Sequence, residues 1–175
     1  MKIIMSPAKK MRVDEDASII PTTPCFLEES HILEEKLKSM SYEELRKLWK
    51  TNETLTDQCY EALQKRQYQP LTCAIHAYDG IAFKYLHPFS MSDDERDYLN
   101  SHLRILSGMY GVLKPTDGIV PYRLEMGVKS LNLYQFWGSK IYDSLNDHGI
   151  INLASKEYSK CMTDYLTEED QCIEI

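Results

Sequence analysis

The chain has 175 residues, 43% of them hydrophobic and 27% charged, with a formal net charge of −7. That length fits one domain with a sizeable core, and the acidic balance argues mildly against a nucleic-acid partner for the surface as a whole. No apolar run approaches the roughly 18 residues of a membrane span, and MKIIMSPAKKM is too poor in apolar residues for a secretory leader, so a cytoplasmic protein with no membrane partner is expected.

In chain order, Lys2–Met5 (KIIM) predicts a short strand that Ser6-Pro7 stops. Residues 14–25 read as an irregular, Pro/Thr-rich connection. From about Glu28 the spacing turns helical, with Ile32, Leu33 and Leu37 expected on one face and Glu34 paired to Lys38. Ser41 is an N-cap followed by acids, so a second helix should reach about Trp49. A third helix is expected over Asn52 to Gln64, with Leu55, Cys59 and Ala62 or Leu63 inward. Leu71–Ala77 (LTCAIHA) reads as a buried strand closed by Tyr78-Asp79-Gly80, then a helix over Ala82–Leu86 ended by Pro88. Ser92 caps a further helix to about His102. Leu133–Leu145 places Phe136, Trp137, Ile141 and Leu145 at helical spacing, and Ile150–Leu153 (IINL) is a third apolar strand. Alternating strands and helices predict an α/β fold, a mixed sheet with helices packed around it.

Leu103–Gly127 holds four of the seven glycines and two of the seven prolines, interleaved with Arg104, Lys114, Asp117, Arg123 and Glu125 on an apolar skeleton. A regular helix does not tolerate that glycine and proline content, and a solvated loop does not need the skeleton. The segment reads as a strand or short helix, a tight turn and a second element that holds polar groups against a buried wall. Gly108, Gly111 and Gly118 lack the Lys-Ser/Thr ending of a P-loop, so there is no nucleoside-triphosphate signal.

Each of the three apolar strand candidates ends in a polar cluster: Ser6 to Lys10, His76 to Gly80, and Asn152 to Tyr158. Ligands of open α/β sheets bind beyond the carboxyl ends of the strands. If the strands are parallel neighbours, Lys9, Tyr78, Asp79, Ser155 and Glu157 rim one cleft, joined by Arg123 and Glu125. Cations there suit an anion such as phosphate. Each residue also has an ordinary reading. Lys9 and Lys10 on a loop can be solvated charges, Asp79 before Gly80 is a normal turn pair, and Arg123 and Glu125 two apart can simply bridge neighbours. The cysteines are odd in number and widely spaced, and the histidines are ungrouped, so the sequence predicts no metal and no cofactor.

Five segments together resemble the YaaA peroxide-stress family of bacteria: SPAKKM at 6–11, AIHAYDGIAFKYL at 74–86, LRILSGMYGVLKPTDGIVPYRLEMG at 103–127, LYQFWGSKI at 133–141 and INLASKEYSK at 151–160. The resemblance implies a cytoplasmic protein that protects against hydrogen peroxide by limiting unincorporated iron. It also implies DNA binding through a positively charged cleft and a helix-hairpin-helix-like element in a distinctive α/β fold. Carried onto this chain, the hairpin is Leu106–Ile119, turned by Gly108, Gly111 and Pro115, with Lys114 at a phosphate. Lys9, Lys10 and Arg123 fall in the cleft, which Ser6, Tyr78, Tyr122 and Ser155 line. Members of the family run on into a basic segment beyond the point matching Ile175, so the expectation is one YaaA-like domain, 1–175, without that segment.

Two functions remain open at this point, with DNA or a small anionic ligand as the partner. One is a DNA-associated stress protein whose binding is electrostatic. The other is an enzyme acting on a small anionic or nucleobase-like substrate, with Glu125, Asp79 or Glu157 as acid or base. Direct iron sequestration lacks a cluster of ligands.

Overall fold

The computed structural model describes residues 1–14 and 19–175. A mixed α/β architecture holds: a five-stranded sheet with helices around it, plus a separate two-stranded pair. The sheet uses β1 (Lys2–Met5), β3 (Leu103–Ser107), β4 (Gly111–Leu113), β6 (Gly149–Asn152) and β7 (Gln171–Glu174), in the order β4-β3-β1-β6-β7. β1 pairs parallel with β3 and β6, β6 pairs parallel with β7, and only β4 runs antiparallel. The central strands are apolar runs because both faces are covered, and Ile4, Ile105 and Leu106 are fully buried. β7, at one edge, carries Gln171 and Glu174 and is largely exposed, whereas β4, at the other, is buried.

Helices α1 (Leu27–Lys38), α2 (Tyr42–Trp49) and α3 (Glu53–Gln64) follow one another after β1. On α1, Ser30, Leu33, Glu34 and Leu37 face inward, while Ile32 is exposed. Adjacent residues point about 100° apart on a helix, so Ile32 cannot share the face of Leu33. Ser41 closes a capping box with Glu44 at the start of α2, and the Asn52 side chain caps α3.

The expected strand over Leu71–Ala77 shrinks to β2 (Thr72–Cys73), followed at once by one helical turn, α4 (Ala74–Ala77). It lies outside the main sheet and pairs antiparallel with β5 (Gly118–Ile119). Two alanines favour the helical turn, and the buried amides of Ala74 and Ile75 donate to the carbonyls of Asp117 and Pro115, so no sheet ladder is needed. β3 takes the place beside β1 that this segment was expected to fill.

Downstream, α5 (Ile81–Leu86) and α6 (Asp93–His102) form as their sequences foretell, the latter with a Ser92–Glu95 capping box. Leu106–Ile119 is built of strand and turn throughout: the end of β3, a turn at 108–110, β4, a second turn and β5. The hairpin itself contains no helix, and α6 ends at His102, just before β3. The helix expected over Leu133–Leu145 is split into α7 (Leu133–Trp137) and α8 (Lys140–Leu145) by Gly138, whose φ of +51° suits glycine. Helix α9 (Lys156–Thr163), which sequence reading left as a polar cluster, links β6 to β7.

Among the described residues, no helix is long and apolar enough to cross a membrane, and no three His, Cys, Asp or Glu side chains are grouped to hold a metal.

Candidate functional site

Because β1, β3 and β6 are parallel neighbours, their carboxyl ends open on one side of the sheet. Ser6 leaves β1 there and binds across to the loop after β6: its Oγ accepts the Ser155 amide at 2.9 Å and lies 3.2 Å from the Ser155 Oγ. The loop carrying Lys9 and Lys10 is then zipped to the segment after α4. The Asp79 amide donates to the Lys10 carbonyl at 2.9 Å, and the Arg12 amide to the Ala77 carbonyl at 2.8 Å. That backbone pairing brings the expected second cluster into the cleft, although its strand is absent from the sheet.

The charges meet as pairs. Lys9 lies 3.1 Å from Glu125, and the Arg123 guanidinium 3.5 Å from the same carboxylate. Lys10 lies 2.6 Å and Lys84 3.4 Å from Asp79. The Lys10 hydrogen bond holds the Asp79 carboxyl below its usual range, which leaves it a weak base and speaks for an ion-pairing role. Lys9 and Lys10 are 69% and 76% exposed, so their bridges are each worth about 0–1 kcal/mol and exchange readily for another anion. Glu157 accepts the Gly127 amide at 2.8 Å and borders, with Glu125, a neighbouring hollow of about 640 Å³.

Beneath these charges lies a phenol network. The Tyr78 and Tyr122 hydroxyls are 2.8 Å apart, and Tyr122 lies 2.7 Å from the Ser107 Oγ at the end of β3. Burial pushes the Tyr122 phenol up to about 12 and that of Tyr78 well above its ordinary value, so both stay protonated and serve as hydrogen-bonding posts. Tyr122 also borders a cavity of about 520 Å³ between α2, α3 and the segment after β5. Leu37, Trp49, Leu55, Leu63 and Met109 make its apolar walls, with Lys9, Lys10, Arg66 and Arg123 around them. Arg66 is buried and anchored to Glu34 at 3.1 Å and to the Tyr110 hydroxyl. The Nε1–H of Trp49 and the Nε–H of Arg123 are buried and find no acceptor among the described residues. Each such orphaned donor costs about 1–3 kcal/mol of desolvation.

The sequence-derived candidates thus separate. Ser6, Lys9, Lys10, Tyr78, Asp79, Tyr122, Arg123, Glu125 and Ser155 gather at the carboxyl ends of the strands, and Glu157 sits at their margin. Lys114 does not join them: it follows antiparallel β4 and therefore lies at the opposite end of the sheet, near Lys2 and Arg104. Gly108 and Gly111 are buried rather than presented to a ligand. A Cβ on Gly108 would lie 2.5 Å from the Leu124 carbonyl oxygen, and Gly111 has φ +70° against Trp137. Sequence reading missed Trp49, Arg66 and Met109, since a tryptophan ending an amphipathic helix and an arginine after one carry no pattern beyond ordinary packing and solvation.

The whole chain, residues 1–175, matches the family model described as peroxide stress protein YaaA. A UPF0246 protein of Agathobacter rectalis is 46% identical over 183 residues, covering 100% of this chain and 74% of that protein. UPF0246 proteins of Pediococcus pentosaceus and Desulfitobacterium hafniense are 46% and 49% identical, covering 98% and 95% of this chain and 71% and 70% of their own lengths. With this match along its full length, the chain belongs to the peroxide stress protein YaaA family.

Proposed function

We propose that the protein acts in peroxide stress by limiting free intracellular iron, and that it does so through DNA whose phosphates bind at the cleft. The observation that carries this reading is the cationic rim of Lys9, Lys10 and Arg123 at the strand ends, where the lysines are exposed and their carboxylate bridges are weak enough to yield to phosphate. Binding of this kind is electrostatic and tolerant of sequence. Fluorescence anisotropy with duplex DNA across a salt series tests it. Affinity is expected to fall steeply with salt, and in a Lys9→Ala/Arg123→Ala variant the slope of log K on log[salt] is expected to be shallower by about 2, close to 0.9 per lost phosphate contact. Salt-insensitive binding, or a variant indistinguishable from wild type, overturns the reading.

A second reading has its own support. The 520 Å³ cavity behind the same cations is walled largely by apolar side chains and has the size and character of a small-molecule site. In that reading the protein is an enzyme for a small anionic or nucleobase-like substrate, with Lys9 and Arg123 of the cavity as the clamp and Glu125, which lines the adjoining hollow and bridges to both cations, as acid or base. Loss of turnover in Glu125→Gln with binding retained supports it.

A further inference from the structure

In the cleft each cation has a carboxylate partner: Lys9 and Arg123 meet Glu125, and Lys10 meets Asp79. At the opposite end of the sheet the balance is reversed. Ile4 of β1 stands beside Arg104 of β3, and Lys2, two residues earlier, lies on the same face. Lys114 follows β4 opposite Arg104, at the position next beyond the Ile105–Leu113 pair. Three cations thus occupy one face of three neighbouring strands, and among the described residues none of them has a carboxylate partner. The two nearby carboxylates are engaged elsewhere. Asp117 accepts the Lys114 amide and the Thr22 hydroxyl, both at 2.8 Å, and Asp147 is held by the amino terminus and the Gly149 amide. Like charges side by side in a sheet are destabilising. Burial above all, then Arg104 and, more weakly, Lys114, lowers the affinity of the Lys2 amine for its proton, against an opposing pull from Asp147.

Part of this arrangement has an ordinary purpose. Lys2 donates to the Ser101 carbonyl at 2.7 Å and Arg104 to the Asn100 carbonyl at 3.0 Å, which caps the end of α6. That leaves the Lys114 ammonium with no partner among the described residues, and it leaves the Nε and Nη2 donors of Arg104 free. Neither Arg104 atom is among the buried unpaired groups, so both keep surface toward solvent. Neighbouring strands lie about 4.8 Å apart, so the row from β1 to the end of β4 is about 10 Å wide. A lone carboxylate meets only part of such a row, whereas linked phosphates meet all of it, and the Arg fork matches a phosphate edge.

We propose that Lys2, Arg104 and Lys114 form a binding site for a phosphate chain, a di- or triphosphate, either free or carried by a nucleotide. The site lies away from the cleft, and it stands or falls independently of both readings given above.

Isothermal titration calorimetry of the full chain with sodium tripolyphosphate at low ionic strength tests it, and saturable binding is expected. Lys114→Gln, on an exposed side chain, should weaken binding about ten-fold, the loss of one charge-assisted pair. Lys2→Gln/Lys114→Gln should weaken it at least about thirty-fold. Arg104→Lys, which keeps the charge and the reach to the α6 carbonyl but loses the planar fork, should weaken it about five-fold. Lys9→Gln/Lys10→Gln, at the cleft, should leave it within about two-fold. Metal-free ATP separates the two sources of the chain. Affinity equal to that of tripolyphosphate assigns the site to the chain alone, and tighter binding still lost in Lys2→Gln/Lys114→Gln assigns it to a nucleotide. No saturable heat, sulfate binding as tight as tripolyphosphate, or a loss that follows the cleft variant overturns the inference. So does duplex DNA binding that drops in Lys2→Gln/Lys114→Gln while tripolyphosphate fails to bind, since the cations then serve a nucleic-acid backbone.

Discussion

A methyl group on Gly108 would press within 2.5 Å of the Leu124 carbonyl oxygen and 3.2 Å of the Glu125 carbonyl carbon. Those atoms are backbone and cannot swing aside, so Gly108→Ala should cost at least about 2 kcal/mol in urea unfolding, the range of an overpacked core. Lys114→Ala, on an exposed side chain away from the cleft, should stay within about 0.5 kcal/mol in the same assay. The contrast shows what single residues told and withheld. The density of glycines in Leu103–Gly127 was rightly read as a constrained segment. Their purpose was not legible, because a glycine needed for close backbone packing and one needed to admit a phosphate look identical in sequence. Arg123 and Glu125 were readable as a pair, and the structure adds Lys9 to them. Trp49 and Arg66 acquire meaning only from what packs opposite them.

At the level of elements, local chemistry was a good guide where the decision is local. Ser41 and Ser92, each followed three residues later by glutamate, form complete capping boxes. Ser92→Ala should therefore cost about 1 kcal/mol, read as a lowered urea midpoint with unchanged slope. The α6 helix is the sharper test of the two, since none of its residues is buried and capping carries more of its stability. Sequence reading failed where a short apolar run had no periodicity to decide it. Thr72–Ala77 is wholly buried either as strand or as helix, and its outcome was set by the Lys114–Gly118 turn, which supplies acceptors to its amides. The cleft survives that error because Lys10 and Asp79 are joined through backbone, not through the sheet.

At the scale of the molecule, Asp170 ties three elements together. Its carboxylate accepts the Thr167 amide at 2.7 Å, the Tyr142 hydroxyl of α8 at 2.8 Å and the His148 ring before β6 at 3.0 Å. The Thr167 amide bond above all, then His148 and Tyr142, holds the carboxyl well below its ordinary range. For a depressed carboxylate, the stabilisation is complete above the unfolded value of about 3.9 and is lost as the pH falls through the lower folded value. The stability gap between wild type and Asp170→Asn, measured by urea unfolding at pH 5, should accordingly narrow below about pH 4. Hydrogen exchange in the variant should quicken first in β7, the exposed strand that follows this clamp.

Sequence by itself determined the class of fold, β1 and β6, the capped helices, the absence of an apolar run long enough for a membrane helix, and, through five ordered motifs, the family. These depend on residues close together in the chain, where periodicity, caps and turn chemistry act directly. Only the tertiary structure decided which strand lies beside β1, that Lys114 lies away from the cleft, that the hairpin glycines are packing devices, and that Trp49 and Arg123 line one cavity. Those outcomes rest on contacts between residues tens of positions apart, whose selection depends on total burial and on the pairing of every buried polar group, which no local pattern records.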